Sequence, residues 1–102
     1  DGEKCCLVIA IGYGATDGVP HRSKPLESVI RIKDEMPHWF EKGVQAALLA
    51  PTAVNQQKFL FTLLNDHTVR AEAGWGLYTE VDLGIVKYHF ELAAGDHFEW
   101  AE

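Results

Sequence analysis

The sequence predicts a small domain of mixed helices and strands, in the order β–loop–α–β–β–α. Three observations point to it. Cys6–Ile11 is a continuous apolar run rich in β-branched residues. Two segments, 37–49 and 79–95, repeat their apolar residues at helical spacing. Between them, two short strand-like runs flank the turn formers Asn65 and Asp66.

Taken in order, Cys6–Ile11 reads as a strand buried on both faces, because it is apolar at every position rather than at alternate ones. Gly12 and Gly14 end it and permit left-handed backbone or close approach by a ligand. Residues 15–25 form a polar loop punctuated by Gly18, Pro20 and Pro25. Leu26–Lys33 fits a short strand or one helical turn. Pro37 suits the first turn of a helix that runs to about Leu49. Trp39, Phe40, Val44, Ala47 and Leu48 share one face of it. Pro51 stops it, since the residue before a proline avoids the α region.

Lys58–Leu64 reads as a strand, and Asn65-Asp66 turns it into a hairpin partner at His67–Ala73. Gly74 and Gly76 break the chain around Trp75. Thr79 is expected to cap a second helix, with Asp82 as a weak capping-box mate that also favours the helix dipole. Val81, Ile85, Tyr88 and Leu92 form its expected buried stripe, and Gly95 its C-terminal stop. Gly84 inside that helix costs about 1 kcal/mol relative to Ala, so close packing is expected there, against a neighbouring helix ahead of a cofactor. Trp39, Trp75 and Trp100 are expected to pack in the core or at its rim.

Length and composition bound the function. A chain of 102 residues is one domain at most, or part of one. A net charge of −6 argues against nucleic acid and anionic membrane as partners. No apolar run approaches the roughly 20 residues needed to cross a bilayer, and no segment reads as a signal peptide. Cys5 and Cys6 are adjacent, which disfavours a bridge between them, so a reducing cytoplasm is the expected compartment. The histidines His21, His38, His67, His89 and His97 show no metal-ligand spacing. The chain begins without Met, a few residues before an apolar run, and is expected to be the C-terminal part of a longer protein.

Two constellations could carry chemistry. His21-Arg22-Ser23-Lys24 gathers cations in an otherwise acidic chain. Arg22 and Lys24 alternate around Ser23, and two cations with a hydroxyl can hold a phosphate. Taken alone, a solvated loop is the favoured reading. Pro51-Thr52-Ala53-Val54-Asn55-Gln56-Gln57 offers neutral donors and acceptors, which suit the pyrimidine edge of a flavin better than a bare charge does. Small Ala53 would admit a ring near the backbone. The competing reading is a helix C-terminal turn whose side chains satisfy orphan carbonyls. No nucleophile elbow or dinucleotide fingerprint is present. An enzyme without acid–base residues remains consistent with a cofactor that carries the reaction.

Four segments together resemble the FMN-dependent nitroreductase family: Val8–Gly14, Pro20–Pro25, Ala47–Gln57 and Val81–Glu91. The match is to the C-terminal half of a branch that fuses two half-units in one polypeptide. The resemblance implies an α+β fold, nitroreductase-like, with a mainly antiparallel central sheet flanked by helices. Residues 1–102 would be the C-terminal part of such a domain. It implies that Arg22, Ser23 and Lys24 hold the FMN phosphate, and that Pro51, Thr52, Ala53, Asn55 and Gln57 line the isoalloxazine. Thr52 stands where Ser is usual and keeps the hydroxyl. Lys58 stands where many members have Pro, and the family's N-terminal Arg-x-Ser-x-Arg type segment is absent.

The implied activity is that of a flavoprotein oxidoreductase working by a ping-pong cycle. NAD(P)H is the electron donor and a nitroaromatic, quinone or similar small molecule the acceptor. Family sites are built across a homodimer, or between fused halves, so pairing with a second copy or with an N-terminal half is expected. The alternatives are a non-catalytic nitroreductase-fold module for dimerisation or small-ligand binding, and a flavin store or sensor without turnover.

Overall fold

The computed structural model describes residues 2–101. Its class is α+β: two helices and a four-stranded mixed sheet. Strand β1 (Ile30–Arg31) follows a 3-10 turn at Leu26–Val29, so both of the open readings of that segment are realised in succession. Helix α1 is His38–Leu48, β2 is Phe59–Asn65, β3 is Thr68–Ala73, α2 is Thr79–Ala94, and β4 is Glu99–Trp100. The strand order is β1-β2-β3-β4. The β2–β3 hairpin is antiparallel and is the longest pairing, while β1 pairs with β2, and β3 with β4, in parallel. Each parallel pair is joined through a helix, as parallel connections require.

Strand periodicity decides where the core sits. Phe59, Phe61 and Leu63 pair with Ala73, Ala71 and Val69, and all point to one face of the hairpin. Helices α1 and α2 pack against each other over that face. Phe40, Phe61 and Phe90 are fully buried. Phe61 and Phe90 stack at 4.8 Å between centroids, and Phe40 meets Phe90 edge-on at 5.9 Å. Each such buried side chain contributes about 1.5–3 kcal/mol relative to an exposed one. Trp39 and Trp100 lie half-buried at the rim, as expected, but Trp75 is exposed.

The first helix follows its sequence pattern. Pro37 occupies its N-cap, and Phe40, Val44, Ala47 and Leu48 face inward. Gly43 faces inward too, because a Cβ there would lie 2.6 Å from the Phe90 ring.

Several expectations fail, each for a physical reason. Cys6–Ile11 is not a buried strand: it has no regular structure and its side chains are exposed, with Ile11 at 95%. An all-apolar strand needs partners on both faces, and the four strands of the sheet supply none to it. The hairpin turn lies at Asp66-His67, not Asn65-Asp66, because a register shift near Leu64 carries β2 one residue further. His67 donates its N–H to Asn65 Oδ1 there.

Thr79 does not cap α2. Tyr78 holds the cap position in a left-handed conformation, and the Thr79 hydroxyl donates to the Gly76 carbonyl. The stripe Val81, Ile85, Tyr88, Leu92 is exposed, and α2 instead buries Val86, Phe90 and Ala94. Two apolar stripes run along this helix, and periodicity alone does not say which one meets the sheet. Gly84 consequently meets nothing within 4 Å, and Gly43 is the glycine that admits close helix packing. Gly95 closes the helix with φ 69°, where a side chain would be strained.

Candidate functional site

The loop after α1 is the most constrained segment of the chain. It leaves the helix at Pro51, makes a 3-10 turn at Ala53–Asn55, and enters β2 at Phe59. Val54, Asn55 and Gln57 all have positive φ, at 44°, 55° and 47°. Such angles are uncommon outside glycine, and a β-branched Val there is an outlier. Strain of this kind persists only where the surroundings hold it.

Hydrogen bonds supply that hold from both sides. On one side lies the basic loop, which precedes helix α1 in the chain. Gln57 is 3% exposed, and its Oε1 accepts from the Lys24 N–H at 2.9 Å. Its Nε2 donates to the Arg22 carbonyl at 2.9 Å and to Asn55 Oδ1 at 2.8 Å. Asn55 Nδ2 donates to the same Arg22 carbonyl at 2.9 Å. The Gln57 N–H closes the turn on Thr52 Oγ1 at 3.1 Å. The Ser23 hydroxyl donates to the Leu48 carbonyl at 3.1 Å and lies 3.0 Å from His21 Nδ1.

On the other side the loop is tied to the start of α2. Both carboxylate oxygens of Asp82 accept from the Ala53 N–H at 3.1 Å. Gln56 Nε2 donates to Asp82 Oδ2 at 2.8 Å and to the Leu77 carbonyl at 2.9 Å. Lys58 Nζ donates to the Trp75 carbonyl at 3.1 Å. Asp82 therefore does more than complement the helix dipole: it anchors the loop.

The two expected constellations thus meet. Arg22, Ser23 and Lys24 sit beside Thr52, Asn55 and Gln57, with Ala53 and exposed Pro51 at the head of the turn. The buried Gln57 amide braces the basic loop from within the protein, and the exposed Asn55 amide braces it at the surface. Arg22 and Lys24 remain exposed, so their cations face solvent from a fixed backbone. A cavity of about 360 Å³ opens beside Lys24 but not Arg22, lined also by Gln57, Lys58, Glu72 and Trp75 among others. Its size lies at the small end of ligand pockets.

Three contributors were not legible as such. Gln56 and Lys58 join the site through hydrogen bonds to the 75–82 segment, and Trp75 joins it by accepting from Lys58. Gln56 lay within the 51–57 constellation and Lys58 stood out as a departure from the family pattern, but neither signalled a contact with Trp75, Leu77 or Asp82. A second, more apolar cavity of about 680 Å³ lies at the β1 edge, lined by Ile30, Ile32, Leu63 and Leu64 among others, and touches none of these residues. Among the described residues no cluster of three or more His, Cys, Asp or Glu side chains could hold a metal ion. No described helix is long and apolar enough to cross a membrane.

Against known proteins, residues 1–94 match the family model described as "Putative TM nitroreductase". No curated protein and no solved structure matches the chain.

Proposed function

The chain belongs to that nitroreductase family, and from this premise we propose that it is the flavin-binding part of an FMN-dependent oxidoreductase. The observation that supports the reading best is the junction at Gln57. It fixes two cationic residues against a strained, non-glycine turn, and such strain is characteristic of ligand sites.

The residues suit FMN at its phosphate end. Arg22 and Lys24 present a guanidinium capable of bidentate contact and an ammonium to solvent, and Lys24 lines an open cavity. Thr52, Asn55 and Gln57 would act mainly by holding the turn in shape, since their side chains are engaged within the protein. Backbone groups of residues 53–55 and the small Ala53 side chain would then meet the ring. Bound FMN would supply the redox chemistry, carrying electrons from NAD(P)H to a nitroaromatic, quinone or similar acceptor. The chain's own residues bind and orient, and none is assigned a proton transfer. The site would be completed by pairing with a second copy or an N-terminal half. A cytoplasmic setting belongs to this reading and agrees with two free, exposed cysteines.

One observation favours the alternative of a non-catalytic module. The amides expected to meet the flavin are spent on Arg22 and Lys24. An FMN titration followed by fluorescence quenching separates the two. Saturable binding at micromolar or tighter affinity is expected, followed by NAD(P)H oxidation with a quinone acceptor. The Arg22→Ala/Lys24→Ala variant should bind at least tenfold more weakly, because each charge-assisted hydrogen bond contributes about 1.5–3 kcal/mol. Unchanged affinity in that variant would sink the phosphate assignment. Binding without turnover would leave a flavin store or sensor.

A further inference from the structure

The turn that follows β3 holds Lys58 in one place. Gly74 lies against the stem of the lysine, and a Cβ there would come 3.0 Å from Lys58 Cβ. Gly76 lies against its head, where a Cβ would come 3.2 Å from Lys58 Nζ. Between the two glycines, the Trp75 carbonyl accepts from Lys58 Nζ at 3.1 Å. An ammonium has three N–H donors, so two are left for another partner. The Trp75 side chain is 95% exposed and spends none of its ring on the core. A fixed cation thus stands beside an uncovered aromatic face.

Both side chains line the cavity of about 360 Å³ beside Lys24. Leu60 and buried Val29 give that cavity apolar surface, Lys24 a second cation, and Glu72 one carboxylate. Two ammonium groups against one carboxylate leave a net charge of +1 around it. Trp75 also lines a neighbouring cavity of about 490 Å³, where Glu80 is the one charged lining residue among the described residues. The side of Trp75 suited to an anion is therefore the one shared with Lys58 and Lys24.

We propose that this cavity binds a small aromatic monocarboxylate, with its ring against Trp75 and its carboxylate on Lys58 Nζ. An aromatic ring gains from a face to stack on, and Trp75 offers one without giving up an internal contact. A carboxylate accepts charge-assisted hydrogen bonds from the positioned ammonium, and Lys24 adds a second positive charge. One negative charge balances the net +1, whereas a neutral ring makes no use of it. Apolar walls with a few polar groups are the usual make-up of a ligand pocket, and the volume suits one or two fused rings. The cavity shares Lys24 and Gln57 with the loops assigned to the flavin but none of residues 51–55. The assignment does not depend on flavin binding.

Titration of the flavin-free chain with naphthoate, followed by proton–nitrogen NMR correlation spectra, tests this. Saturable binding below about 1 mM is expected, with the largest shifts at the Trp75 indole N–H and the Lys58 and Gly76 amides. Naphthylmethanol keeps the ring without the charge and should bind about tenfold more weakly. Cyclohexanecarboxylate keeps the charge without the aromatic face and should bind about fivefold more weakly. Lys58→Gln should weaken naphthoate binding about tenfold, while Lys58→Arg should keep most of it. Trp75→Ala should weaken it about fivefold, because Lys58 is anchored by the backbone of Trp75 and stays in place. Glu72→Gln removes the opposing carboxylate and should tighten binding. Lys58, Glu72 and Trp75 are exposed, so the circular dichroism of all these variants should match the parent. Failure to saturate, equal affinity for naphthylmethanol, unchanged affinity in Lys58→Gln, or shifts confined to the cavity at the β1 edge would overturn the proposal.

Discussion

Replacing Gln57 with alanine tests how the site is built. The Gln57 amide makes three close contacts, with the Lys24 N–H, the Arg22 carbonyl and Asn55 Oδ1. A net hydrogen bond contributes about 0.5–1.5 kcal/mol, so three would give about 3 kcal/mol if no partner found water. Arg22 and Lys24 are exposed and their backbone groups can hydrate, which lowers the expected loss to about 2 kcal/mol. In a domain of this size that is a fall in Tm of about 10 °C. Urea unfolding measures the global cost, and amide hydrogen exchange at Lys24 measures the local one. The Lys24 amide should exchange much faster in Gln57→Ala. Gln57→Glu keeps the acceptor for Lys24 but sets an oxygen against the Arg22 carbonyl. It should lose stability while the Lys24 amide stays protected. Stability within about 0.5 kcal/mol of the parent, the range of an ordinary surface substitution, with unchanged exchange at Lys24, would refute the bracing role.

Other perturbations follow from the packing. Gly43→Ala places a methyl group 2.6 Å from the fully buried Phe90 ring, which Phe40, Phe61, Phe98 and Trp100 confine. Overpacking costs about 1–3 kcal/mol against a helix-propensity gain of about 1 kcal/mol, so a net loss is expected by urea unfolding. Gly84→Ala, with nothing within 4 Å, should gain up to about 1 kcal/mol in the same assay. A gain at both positions would contradict the helix packing. Asp82→Ala removes the acceptor for the Ala53 N–H and Gln56 Nε2 and should cost about 3 kcal/mol in the same assay. A change as small as that of an ordinary surface substitution, below about 0.5 kcal/mol, would show that the loop keeps its shape without that carboxylate.

Local chemistry made much of this protein legible from its residues. Pro37 and the Phe40, Val44, Ala47, Leu48 spacing located α1, because proline geometry and helical period act within a few residues. Alternation in 58–73 located the hairpin for the same reason, to within one residue at the turn. The family was also readable, since motif residues and their spacing lie in the chain itself.

What the sequence left open was every choice between competing partners. Cys6–Ile11 has the composition of a buried strand, yet burial depends on neighbouring strands that this sheet does not give it. Helix α2 carries two apolar stripes, and only packing against Phe40 and Phe61 selected the one with Phe90. The meeting of the 21–24 and 51–57 loops, and the engagement of the Asn55 and Gln57 amides with the basic loop, also required the fold. Those amides find their partners on the far side of helix α1 in the chain, and a side chain's partner at that range is fixed by tertiary geometry rather than by its sequence neighbours.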